Sequence, residues 1–139
     1  MRRSLPLLLA AVAIAISLAP SGRATTTVRL TIAHVFSHCH VWRTATQLLA
    51  PSTKITVRAG TKVVIRSDCP MDFDFKQTKG PPLALGSART YAGTIRVIVF
   101  RKPGTYRLTA TNVETPEERG LVTLGEPNVL TLTVVVRAA

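Results

Sequence analysis

Val28-Arg29-Leu30-Thr31-Ile32-Ala33-His34-Val35-Phe36 places its larger apolar side chains on alternate residues, the two-residue period of a strand with one buried face. The pattern returns in Lys54–Arg58, Lys62–Ser67, Thr94–Phe100, Thr105–Thr111 and Val129–Arg137. These runs are rich in Val, Ile and Thr and are bounded by turn residues. Ala59-Gly60 separates two of them, and Arg101-Lys102-Pro103-Gly104 separates two others, with Pro103 and Gly104 suited to the central positions of a type II turn. No stretch has the period of a full amphipathic helix. The one helical signal is Thr115-Pro116-Glu117-Glu118: a capping threonine, a proline at the first helical position and a glutamate three residues after the cap. It predicts a turn or two of helix within the 112–127 connection. About seven short strands, with no helical crossovers to make parallel pairs, predict an all-β fold of two packed antiparallel sheets, a Greek-key β-sandwich. Residues 76–93 read as one long loop, and loops of that length in a small domain are often functional.

The length of 139 residues accommodates one domain. A composition 46% hydrophobic and 18% charged excludes a disordered polycation, and four Phe, two Tyr and one Trp are too few for the stacking surface of a single-strand nucleic-acid binder. Met1-Arg2-Arg3, the apolar run Leu5–Leu18 and the small residues before and at Ala24 read as a signal peptide over 1–24. Its apolar run is short for a bilayer span. Residues 25–139 are then expected as a single exported domain, periplasmic or extracellular, with no stable membrane span after cleavage. Three of the 18 Lys+Arg fall in the leader and none of the 7 Asp+Glu does, so the remainder keeps a net charge of +8. Arg58, Lys62, Arg66, Arg96, Arg107 and Arg137 are scattered singly along the strand runs, as on a solvated outer face. That distribution implies weak attraction to anionic envelope surfaces and no specific nucleic-acid partner.

The order Lys54-Ile-Thr-Val-Arg-Ala-Gly60-Thr-Lys-Val-Val-Ile-Arg66, a polar loop, Phe100-Arg-Lys-Pro103-Gly104-Thr105-Tyr106 and a closing Leu130–Val136 strand resembles the cupredoxin-like domains over residues 54–137. The resemblance implies a copper-binding sandwich that exchanges electrons or copper with a redox or copper-handling protein. That family places a histidine after the second quoted strand and a Cys, His and Met around the loop after the Pro-Gly-Thr-Tyr strand. Here residues 107–125 contain no Cys, His or Met, and the loop after Arg66 offers Cys69, Met71 and Asp72 without a histidine. The family's standard type 1 copper loop is therefore absent.

Donors lie elsewhere. All three histidines, His34, His38 and His40, occupy one seven-residue window with Cys39 among them. On one continuous extended strand His38 and His40 share a face, Cys39 takes the other, and His34 continues the inward parity of Val28, Leu30 and Ile32. A second soft cluster, Ser67-Asp68-Cys69-Pro70-Met71-Asp72, ends the Lys62–Arg66 strand. Imidazole with thiolate or thioether favours copper, while zinc seldom uses Met. If the strand ending near His40 lies beside the one ending at Cys69, the clusters form one site, with His34, His38, His40 and Met71 as metal ligands.

Cys39 and Cys69 admit two readings: a disulfide, the usual fate of two cysteines in an exported protein, or thiolate ligands. Inward-facing His34 is the histidine expected to be a packed core residue, and Trp42 and Phe36 are expected to pack in the core or rim. Enzymatic readings are weaker. Adjacent strand residues face opposite ways, so Cys39 lacks a flanking histidine base. Asp72 and Asp74 read as a polar strand face, and no phosphate loop or serine elbow is present. The expectation is a non-enzymatic copper binder; the competing expectation is a metal-free, disulfide-stapled sandwich serving as an envelope binding or structural module.

Overall fold

The computed structural model describes residues 25–35, 38–113 and 128–139, without the side chains of His38 and Cys39. The expected leader, Phe36 and the helical turn at 115–118 lie outside the described residues. Nine strands follow in order: β1 (Thr27–Val35), β2 (His38–Arg43), β3 (Ser52–Arg58), β4 (Lys62–Ser67), β5 (Asp72–Lys79), β6 (Arg89–Thr90), β7 (Ile95–Val99), β8 (Gly104–Val113) and β9 (Val129–Arg137). They form a four-stranded sheet, β2-β1-β4-β7, and a five-stranded sheet, β3-β9-β8-β5-β6. This is the expected all-β sandwich, with β2, β5 and β6 added to the six runs that alternation marks. No helix among the described residues is long and apolar enough to cross a membrane.

Alternation built the core as expected. β9 reads exposed or half-buried at Val129, Thr131, Thr133 and Val135 and buried at Leu130, Leu132, Val134 and Val136. Trp42, Phe73, Phe75, Phe100 and Tyr106 fill the space between the sheets. Burying each such ring contributes on the order of 2–3 kcal/mol. Trp42 is fully buried and its indole N–H donates to the Thr131 carbonyl at 3.2 Å. Two glycines are required by geometry. Gly60 turns the chain from β3 to β4 at φ 90°, and at Gly80 (φ 104°) an added Cβ would stand 2.7 Å from the Thr105 carbonyl oxygen.

Four expectations need correction. The sheets are mixed: β1 pairs with β4 in parallel and β3 pairs with β9 in parallel. A parallel pair needs a long connection but not a helix; here β2 and β3 supply it between β1 and β4, one strand in each sheet. The histidine window is not one continuous strand, because β1 ends at Val35 and β2 runs back antiparallel from His38.

Residues 76–93 are not one loop. Lys76–Lys79 belong to β5, and Arg89–Thr90 pair with Asp74 and Phe73 as β6. The segment between is fastened from both sides. Gln77 Nε2 reaches the carbonyls of Lys79, Gly80 and Pro81, and its Oε1 accepts from the Leu83 N–H at 2.9 Å.

Arg96, finally, is not on a solvated face. It is 8% exposed and alternates inward with Ile98. Its guanidinium donates to the carbonyls of Leu85 and Ser87 and to the Thr90 hydroxyl, and lies 4.7 Å from the Phe75 ring centroid. A planar fork of N–H donors suits several carbonyls at once. Desolvation pulls its pKa below the ordinary arginine value. The other five scattered cations, Arg58, Lys62, Arg66, Arg107 and Arg137, are exposed as expected.

Candidate metal centre

The parallel β1/β4 pair decides where the donors go. Its register ends at Ile32 opposite Ser67, so the residues two further along each strand, His34 and Cys69, leave the sheet at the same end. The Asp68 N–H donates to the Ile32 carbonyl at 2.9 Å and extends the ladder one step into the loop. The Asp68 carboxylate holds Arg66 at 2.6 Å and Arg43 at 3.2 Å on the exposed side. These contacts fix the start of the loop that carries Cys69 and Met71.

A bulge brings in the second histidine. Ala33 opposes Val41 and Val35 opposes His38, so one residue of β1, His34, faces two of β2, Cys39 and His40. An extra residue of this kind bends a strand and re-aims a side chain. His40 takes the strain, at φ 59°, the only non-glycine residue with positive φ among those described. Its ring is fully buried, stands edge-on to Phe73 at 5.2 Å between centroids, and lies 6.2 Å from the His34 ring.

One ligand atom from each of His34, His40 and Cys69 lies within 4.8 Å of the others. Met71 Sδ sits 3.1 Å from His40 Nε2. Behind the sulfur, Asn112 Nδ2 approaches it at 3.7 Å. Two imidazoles, a cysteine sulfur and a thioether therefore converge at one end of the sandwich. Donors around 2.0–2.3 Å from a common ion stand roughly 3.3–3.8 Å apart in a tetrahedron, so small side-chain rotations gather this set. Two imidazoles with a cysteine sulfur and a weaker Met sulfur form a donor set that suits copper.

The expected union of the two clusters is thus observed, with a different division of roles. His34 is exposed at the rim, not packed in the core, because it follows the last paired inward residue of β1; His40 is the buried histidine. Met71 lies beside this group, with its Sδ 3.1 Å from His40 Nε2. The His38 and Cys39 side chains, and with them the expected Cys39–Cys69 bridge, lie outside the described residues. Asp74, read as a surface residue, pairs with Lys76 at 2.6 Å. Asn112 was missed, since nothing in its local sequence marks it; only the β5–β8 register, which sets it opposite Phe73, brings it to the site.

No protein-family model and no curated protein matches the sequence. Solved structures do. A reduced-state amicyanin mutant is 14% identical, covering 81% of this chain and 82% of its own, with a TM-score of 0.43. Another reduced amicyanin mutant is 17% identical over 82% and 85%, with a TM-score of 0.44. Amicyanin from Paracoccus versutus is 14% identical over 86% and 85%, with a TM-score of 0.40. Amicyanin is a cupredoxin.

Proposed function

We propose that residues 25–139, exported and freed of the 1–24 leader, bind a copper ion and act in copper handling or as an electron carrier. The observation that supports this reading is the convergence of His34, His40 and Cys69 within 4.8 Å, with Met71 Sδ 3.1 Å from His40. His40 and Cys69 supply buried donors, and their burial excludes water from the inner side of the site. His34 supplies a donor open to solvent, where a redox or copper-exchanging protein partner can approach. Met71 supplies a soft donor that zinc seldom takes. Copper, when bound there, supplies one-electron chemistry or is itself the cargo.

Titration of the full chain with Cu(II) and Cu(I), followed by absorption and electron paramagnetic resonance, tests the reading. One equivalent is expected to bind, with a thiolate-to-copper charge-transfer band for Cu(II). Binding should vanish in a variant with His34, His38 and His40 replaced by alanine; equal affinity in that variant overturns the proposal. A second reading keeps Cys69 in a disulfide, favoured by Cys39 lying next to His40 in the β2 bulge. Thiol counting with and without reductant distinguishes the two: two reactive thiols in the denatured, unreduced protein exclude the bridge.

A further inference from the structure

Met71 Sδ has two nitrogen neighbours. His40 Nε2 is 3.1 Å away and Asn112 Nδ2 3.7 Å away, the latter a normal length for an N–H donor to sulfur. Asn112 lies at the last turnings of β8, opposite Phe73 across the ladder, and Phe73 is the ring that meets His40 edge-on. The β8 backbone is itself pinned there, the Asn112 N–H donating to the Asn128 carbonyl at 2.7 Å. The amide oxygen of Asn112 is buried without a hydrogen-bond partner among the described residues. Flipping the amide would set its oxygen against the sulfur, acceptor against acceptor, and leave the NH2 group stranded instead. The donor-to-sulfur orientation is therefore the favourable one.

The geometry points to Asn112 as a positioning residue that fixes the Met71 thioether by an N–H to sulfur hydrogen bond and biases the site toward the monovalent copper ion. The inference rests on the copper reading proposed above. An N–H donated to the thioether engages one of its lone pairs and draws electron density from the sulfur. A less electron-rich donor stabilises Cu(II) less and leaves Cu(I) comparatively favoured. The same bond restrains the flexible Met side chain, which otherwise samples several rotamers.

Two measurements on the full chain test this. In the metal-free protein, a nuclear Overhauser contact between the Asn112 side-chain NH2 and the Met71 methyl group is expected; its absence overturns the proposal whatever copper does. With copper, the ratio of Cu(I) to Cu(II) affinity, read by chelator competition, is expected to fall in Asn112→Leu by no more than about fivefold, the full worth of one ordinary hydrogen bond. Asn112→Ala, which removes the donor without adding a charge, should change the ratio in the same direction and serves if the leucine variant fails to fold. In a Met71→Leu background the same substitutions should have no effect on the ratio. An undiminished effect in that background, or no change in the wild-type background, overturns the inference. A wild-type chain that shows the contact yet binds no copper overturns the copper reading, and this bias with it.

Discussion

The sandwich buries two polar constellations, and they are built on opposite principles. Around Arg96 a cation is surrounded by acceptors that the chain itself supplies: two carbonyls, a hydroxyl and the face of Phe75. Around His40 the neighbours are other soft donors, namely His34, Cys69 and Met71. The first constellation carries its own positive charge. The second gathers two imidazoles, a cysteine sulfur and a thioether, groups that a soft cation can share. One is a fastening of the fold; the other has the composition of a binding site. Burial of polar groups does not by itself separate the two roles, whereas the sign of what surrounds them does.

The largest expected effect falls on the fastening. Arg96→Leu leaves the Leu85 and Ser87 carbonyls and the Thr90 hydroxyl without their donor and is expected to destabilise the chain by about 3–4 kcal/mol. Denaturant unfolding with an unchanged slope would measure it, and copper affinity should be untouched.

Next comes the effect of the ion. At a free concentration one hundred times its dissociation constant, copper should stabilise the wild type by about 2.7 kcal/mol. The same addition should do nothing for Cys69→Ser, and calorimetry at matched protein concentration would show both. A copper-induced rise of equal size in both chains would break the comparison.

A smaller effect is expected at the bulge. His40 holds a left-handed backbone at φ 59°, which costs an ordinary residue about 1 kcal/mol and costs glycine little. His40→Gly should therefore be less damaging to the metal-free fold than His40→Ala by about 1 kcal/mol, while both abolish copper binding. The smallest effect belongs to the exposed Arg43–Asp68 pair. Arg43→Ala is expected to change stability by less than about 0.5 kcal/mol, with thermal melts at low and high salt as the check.

Much of the fold was legible because one-sided burial writes itself as alternation. β4 and β9 match their alternating runs from end to end, and β1, β3, β7 and β8 match within two residues at each end. The donors were legible by type, since His and Cys are rare in this chain. Their meeting was legible only conditionally, because it depends on β1 and β4 lying side by side in parallel, and strand neighbours separated by some thirty-five residues leave no local trace. β2 escaped because a bulge breaks the period that reveals a strand. Arg96 escaped for a related reason: alternation places its side chain inward, and a lone arginine amid apolar residues reads as solvent-facing until the carbonyls that receive it come from Leu85 and Ser87. Asn112 had no signal at all outside the β5–β8 register.

The place of β9 has a consequence in time. The last strand of the chain lies inside its sheet, paired with β3 along Ser52–Arg58 on one side and with β8 along Gly104–Thr111 on the other. Among the described residues β3 has no other strand neighbour. As the chain emerges from the ribosome, the five-stranded sheet therefore stays open until residues 129–137 have arrived, and the loop that closes β3 onto β9 spans most of the domain. Non-local closure of this kind slows folding. Until β9 is in place nothing joins β3 to β8, so this sheet closes in one late event instead of growing strand by strand.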